Sequence, residues 1–323
     1  MSDALPPTPD GHVPVLPAEV ENLLAPALGP GAVLLDATLG RGGHARRLLP
    51  LLPGGTVIGF DLDAGNLAHA GDRLRPIAEA HGVRLILHHG SFAGAEAVVA
   101  NEAPGGVDAL LADLGFASNQ VDDPARGFSF RHDGPLDMRL DAGDAGRPTA
   151  ADLVNTLGQD ELADLIYLHG EERLSRRIAR RIVEARQQAP IETTLRLAEL
   201  VFRCYPPPKR RGGGPPRHPV HPATRTFQAL RIAVNGELDA LASLLDAIPR
   251  LLRPGGHAAV ISFHSLEDRP VKRAFLRFQQ QDLGRRLTRK PLTAADDEAA
   301  ANPRSRSAKL RGFAAASAPN APR

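Results

Sequence analysis

The chain predicts an α/β protein, an open and mostly parallel Rossmann-like sheet interrupted by an inserted α-helical domain. Short apolar runs alternate with helix-length stretches through the first third of the sequence, the mark of successive βαβ units. Another run of the same kind returns only near residue 257. The residues in between read first as helices and then as a segment rich in proline, glycine and basic residues, which is foreign to a sheet.

Taken in order, Val33 to Asp36, Thr56 to Asp61, Val83 to His88 and Val107 to Asp113 read as buried strands. Gly65 to Ala80 and Ala93 to Asn101 supply helices between them. The turn Arg253-Pro254-Gly255-Gly256 introduces a fifth strand, His257 to Phe263. From Thr149 to about Tyr205 the pattern is helical, with Thr149 as an N-cap and Gly170 as a stop. On a predicted helix from Glu172 to Gln187, Leu174, Ile178 and Ile182 share one face, and Arg173, Arg176, Arg177 and Arg180 share another. Pro206 to Pro216 excludes regular structure and reads as a mobile basic loop carrying Lys209, Arg210 and Arg211. Helices near Thr226 to Asn235 and Glu237 to Leu252 lead back to the sheet. From about Leu283 the chain is polar and alanine-rich, expected to be disordered or only locally docked. The resulting division is 1–142 for the first part of the core, 143–218 for the inserted helical domain and basic loop, and 219–323 for the second part of the core with a polar tail.

Composition sets outer limits. At 323 residues the chain can bury a large core, and a net charge of +2 is too mild to mark a nucleic-acid binder without local clustering of arginine. Cys204 is the lone cysteine, which excludes an internal disulfide and a cysteine-rich zinc site. His218 and His221 lie close together in a loop with no evident carboxylate partner, so no metal is expected. No apolar run approaches the length of a membrane span, and the start lacks a basic-then-apolar signal pattern. The expected location is the cytoplasm, away from membranes.

The most telling stretch is Asp36-Ala37-Thr38-Leu39-Gly40-Arg41-Gly42-Gly43-His44, directly after the first strand. An acid at a strand end followed by a glycine turn lets backbone amides approach a nucleotide-like cofactor. Gly40-x-Gly42-x-x-Ala45 also satisfies a loose dinucleotide fingerprint, so a nicotinamide enzyme stays open beside an S-adenosylmethionine enzyme. Asp61, closing the second strand, suits the ribose hydroxyls of either cofactor. Asp36, four residues before Gly40, favours S-adenosylmethionine. Asp113 ends the fourth strand at the same sheet edge, where a carboxylate can orient an exocyclic amine and disperse its developing charge. Ser262-Phe263-His264 reaches that edge from the fifth strand and offers His264 as a second catalytic candidate. A binding factor that keeps the fold without the chemistry is the competing reading from a different class.

Further segments carry a resemblance: His12-Val13-Pro14-Val15-Leu16, Arg126-Gly127-Phe128-Ser129-Phe130, Gly134-Pro135-Leu136-Asp137-Met138-Arg139, Gly170-Glu171-Glu172-Arg173, the run His221 to Arg231, Ser262 to Arg269, and Asn302 to Ser307. With the glycine turn and Asp113-Leu114-Gly115, they resemble in order the bacterial 16S ribosomal RNA cytosine N(4)-methyltransferases of the MraW type. The resemblance implies a class I methyltransferase core with a helical insert, S-adenosylmethionine as donor, and a decoding-centre cytosine of 16S ribosomal RNA, within the small ribosomal subunit, as acceptor, with no role for DNA. It places cofactor contacts on Gly42, Gly43, His44, Asp61, Phe92, Asp113 and Gln120. Where the family usually has Asp-Leu-Gly-Val-Ser-Ser, this chain has Asp113-Leu114-Gly115-Phe116-Ala117-Ser118, so any role of the first of those serines is lost.

Overall fold

Residues 14–206 and 221–317 are described by the computed structural model. They fall into two compact units. One runs to Gly115 and resumes at Leu238, and the other is Phe116–Glu237. The second unit is thus drawn more widely than the segment 143–218 read from the sequence, because its core also takes Phe128, Leu136, Met138, Phe227, Leu230 and Val234 from either side of that segment.

The first unit holds a seven-stranded sheet: β1 (Val33–Asp36), β2 (Thr56–Asp61), β3 (Arg84–His89), β4 (Val107–Asp113), β5 (Leu252–Ser262), β6 (Gly284–Arg286) and β7 (Lys309–Ala315), in the order β3-β2-β1-β4-β5-β7-β6. β1 to β5 are mutually parallel, and β7 lies antiparallel to both β5 and β6. The order reverses at β1 and β4, and ligands of open α/β sheets sit beyond the strand ends at such a switch point. β3 differs from the expectation of a buried strand. It lies at one edge of the sheet, β6 being the other, and its ends are exposed.

Alternate residues of the central strands feed opposite faces of the sheet. Leu35, Ile58, Phe60, Leu110 and Val260 pack with Leu244, Ile248 and Phe275, while Leu34, Val57, Leu111 and Ile261 pack with Val20, Leu24, Leu67 and Leu74. Each such fully buried side chain contributes about 1.5–3 kcal/mol, so the two layers of helices hold the strand ends rigidly. Helix Ala64–Ala80 starts where the Asp63 carboxylate accepts the Gly65 and Asn66 N–H groups, which fixes the turn after β2.

The tail corrects the sequence reading. Residues after Leu283 are not merely docked, since they supply β6, β7 and helix Asp296–Ala301. β7 reads as polar because Arg311 occupies its middle. Arg311 is 6% exposed, and its guanidinium pairs with Asp268 through Nε–Oδ1 2.7 Å and Nη2–Oδ2 3.1 Å. A Cβ at Gly312 would stand 3.0 Å from Leu23 Cδ1, so a small residue is needed where β7 passes under helix Pro17–Leu24.

In the second unit Thr149 caps helix Ala150–Thr156 in a reciprocal box with Asp152, and helix Gln159–Gly170 ends at Gly170, as its sequence predicts. The arginine-bearing helix is shorter than expected, Ser175–Arg186. Ile178 and Ile182 are fully buried, Leu174 is half-buried, and Arg173, Arg176, Arg177 and Arg180 are exposed. Phe116 is 39% exposed, with the Arg231 guanidinium 4.6 Å over its ring and Phe128 stacked at 5.8 Å. The segment Lys209 to Arg211 and His218 lie outside the described residues.

Candidate active site

The parallel register brings Asp36, Asp61 and Asp113 to the carboxyl ends of β1, β2 and β4, since Asp36 pairs with Gly59 and Leu111, Asp61 with His89, and Asp113 with Ile261. The glycine turn fills the space between β1 and helix Gly43–Leu48. Gly42 is its N-cap at φ 77°, and a Cβ there would stand 3.1 Å from Leu74 Cδ1, so glycine is required by both conformation and space.

Asp61 holds this turn. Its Oδ2 accepts the Gly40 N–H at 2.7 Å and its Oδ1 accepts the Asp63 N–H at 2.7 Å. Burial pushes its carboxyl up to about 6, against the lowering effect of those two N–H groups. The Asn66 side chain also donates to this carboxylate, so of its roughly four acceptor positions three are taken, and room remains for a hydroxyl donor.

Asp36 is 1% exposed and lies beneath the turn, with its Oδ1 accepting the Thr38 N–H at 3.2 Å. Desolvation pushes its carboxyl up to about 7, opposed chiefly by the nearby His44 imidazole. Thr38 joins the two acids, because its Oγ1 accepts the Asp113 N–H at 2.6 Å. Sequence reasoning misses Thr38, whose only signal is a hydroxyl placed between an acid and a glycine turn.

His44, on the first turn after Gly42, is 7% exposed, and its Nε2 lies 3.5 Å from Asp113 Oδ2. Both His44 Nε2 and Asp113 Oδ1 are buried polar atoms with no hydrogen-bond partner among the described residues. Such atoms are costly unless a ligand meets them, and this pair therefore fits a bound polar group. Phe92 begins the turn after β3, half-buried against the core, with Ser91 capping the turn.

His264 follows β5 and is the N-cap of helix Ser265–Gln280. Its Nε2 is 3.1 Å from Glu267 Oε1 without hydrogen-bond alignment, and Glu267 Oε2 accepts the Phe263 N–H at 2.8 Å. Glu267 is 3% exposed, and nothing local in the sequence marks it for this role. A Cβ at Gly115 would stand 3.6 Å from the Phe263 ring, so the loop after Asp113 runs beside the segment that carries His264. Gln120 belongs to the second unit, where it is 3% exposed and its Oε1 accepts the Ala117 N–H at 2.8 Å. Cys204 is also in the second unit, 2% exposed, with burial pushing its thiol up.

A sheet of this order with an antiparallel β7, a glycine turn after β1 and an acid closing β2 defines a class I, Rossmann-like methyltransferase. The profile of the MraW methylase family matches residues 10–316, and the chain belongs to that family of S-adenosylmethionine-dependent methyltransferases. Two relatives are named ribosomal RNA small subunit methyltransferase H. The protein from Sorangium cellulosum is 52% identical over 95% of this chain and 92% of its own length. The protein from Deinococcus radiodurans is 48% identical over 98% and 94%. Among solved structures, a putative rRNA-methylase from Clostridium thermocellum aligns over 94% of this chain and 99% of that one at 12% identity and a TM-score of 0.43. Family membership removes the nicotinamide alternative that the glycine spacing left open. No helix among the described residues is long and apolar enough to cross a membrane.

Proposed function

We propose that this chain methylates the exocyclic N(4) amine of a cytosine in the decoding centre of 16S ribosomal RNA, presented by the small ribosomal subunit. The relatives named as small subunit methyltransferases support an RNA acceptor. The observation that carries the chemistry is the buried pair His44 Nε2 and Asp113 Oδ1 at the end of β4, beside the glycine turn.

S-adenosylmethionine, when bound, supplies an electrophilic methyl group on a sulfonium. The backbone of Gly40, Gly42 and Gly43 lets its amino-acid part approach, Asp61 accepts from the ribose, Phe92 packs on the adenine, and His44 and Asp113 meet its polar end. Asp36 acts from below by holding the Thr38 N–H and so the turn. Gln120 joins this set on the strength of the resemblance alone. A cytosine amine is a weak nucleophile because its lone pair is delocalised into the ring. Asp113 orients it by accepting one of its protons in a hydrogen bond, and His264 takes the proton shed after transfer.

An amine that pairs in a duplex must be unstacked before it can react, which suits a structured ribosomal RNA site. Arg173, Arg176, Arg177 and Arg180, with Lys209, Arg210 and Arg211, contribute phosphate contacts that carry no sequence information. Mass mapping of modified cytosines in ribosomal RNA from cells lacking the protein, paired with methyl transfer to small subunits, naked 16S RNA and DNA, tests the reading. A missing N(4)-methylcytosine in the decoding centre is expected. Efficient transfer to DNA with none to ribosomal substrates rejects it.

A further inference from the structure

In the second unit a cavity of about 330 Å³ lies between helices Gln159–Gly170 and Ser175–Arg186, lined by Gln159, Asp160, Ala163, Arg176, Arg177 and Arg180. Both helices contribute residues at the same offsets, i, i+1 and i+4, so one face of each looks onto a shared space. Other arginines of the second helix are already engaged. Arg181 lies 3.6 Å from Glu184, and Arg186 Nη1 donates to the Val154 carbonyl at 2.7 Å. Arg176, Arg177 and Arg180 make no ion pair with a carboxylate among the described residues. Three guanidinium groups against the single carboxylate of Asp160 leave the lining with net positive charge, which suits an anion, and their planar forks match phosphate oxygens.

Asp160 narrows the choice. A carboxylate in the lining repels a bare polyphosphate but accepts from a hydroxyl or amine carried beside a phosphate. A volume near 330 Å³ is also at the small end of ordinary ligand sites and exceeds what an isolated phosphate fills. An anion with a donor at short range is what an RNA backbone offers, since each 2′-hydroxyl neighbours a phosphodiester. We propose that this cavity seats one nucleotide of single-stranded ribosomal RNA, its phosphate on Arg176, Arg177 and Arg180 and its 2′-hydroxyl on Asp160. The site rests on the ribosomal RNA reading above and adds to it a place, within the second unit, where RNA is told from DNA. Gln159, with an amide donor and acceptor, is left to engage a base edge.

The test uses the full chain, a short single-stranded oligoribonucleotide and its 2′-deoxy counterpart, with affinity read by fluorescence anisotropy over a range of salt. The wild type binds the ribo form more tightly. Asp160→Ala brings the ribo-to-deoxy ratio towards one while strengthening deoxy binding, because a repulsive charge goes with the acceptor. Arg176→Ala, Arg177→Ala and Arg180→Ala together weaken both forms and flatten the slope of log affinity against log salt by about 0.7 for each phosphate no longer neutralised. An unchanged ratio in the Asp160 variant, or an unchanged salt slope in the arginine variant, overturns the assignment. Methyl transfer to small subunits by the wild type is measured alongside. If it proceeds while ratio and slope stay fixed, the cavity assignment alone fails. If no ribosomal RNA accepts methyl, the underlying reading fails with it.

Discussion

His44 Nε2 and Asp113 Oδ2 lie 3.5 Å apart at the end of β4, and Thr38 ties the Asp113 backbone to the turn that carries His44. The acid proposed to orient the amine is thereby part of the same rigid assembly as the glycine turn. Asp113→Ala is expected to reduce methyl transfer by about 10²–10³-fold, the usual worth of a preorganised hydrogen-bonding group aimed at developing charge. Single-turnover transfer to small subunits measures it. A variant that binds cofactor and still turns over at the wild-type rate removes Asp113 from the chemistry.

Asp61→Ala takes away the acceptor of the Gly40 N–H together with the proposed ribose contacts. Loss of a charge-assisted hydrogen bond costs about 1.5–3 kcal/mol, so S-adenosylmethionine affinity should fall by at least ten-fold. Titration calorimetry on the folded variant is the check, and unchanged affinity contradicts the assigned contact.

The buried acid Asp36 makes stability depend on pH. Its carboxyl stands near 7 in the fold against 3.8 for an ordinary aspartate, so the folded chain holds a proton that the unfolded chain has released. That contribution is complete below about pH 4 and is lost as pH rises to about 7, with a slope of up to about 1.4 kcal/mol per pH unit. Asp61 acts in the same direction up to about 6. Denaturant melts of the cofactor-free protein should show stability falling across this range, and Asp36→Asn should flatten the fall. A wild-type curve that rises between pH 4 and 7 would contradict the placement.

Cys204→Ser should leave turnover intact. Its thiol is 2% exposed in the second unit, donates to the Leu200 carbonyl at 3.4 Å, and is pushed up by burial, so it offers no thiolate for a covalent route. Loss of transfer in a folded, cofactor-binding variant would require a covalent step instead.

Arg311→Ala leaves Asp268 buried without its bidentate partner, and breaking such a pair costs about 3–5 kcal/mol. Chemical denaturation measures the loss. A neutral outcome means that β7 is not held to helix Ser265–Gln280 through this pair.

Strands with strong apolar character are legible from residue types alone, and β1, β2 and β4 run over the residues expected. Each lies inside the sheet between two layers of helices, which gives continuous runs of branched side chains. β7 is not legible, because its place in the sheet depends on a buried arginine, a glycine under Leu23 and alanines at its end, none of which signals a strand locally. At the site, the acids and glycines stand out because strand ends and tight turns have sequence marks. Thr38 and Glu267 do not, since their roles come from partners that the fold alone brings near: Asp113 across 75 residues of chain, and the backbone just before His264.

The interrupted order of the sheet strands has a consequence during synthesis. β4, whose Ala109 to Ala112 are 0% exposed in the finished protein, leaves the ribosome well before its neighbour β5, because residues 114–251 come first. At about 5–20 residues per second that wait is on the order of ten seconds, spent with an apolar strand edge open to pairing with another chain. Expression of the first 115 residues alone should therefore yield aggregates, and newly made full-length chains should draw on chaperones until β5 and β7 close the edge.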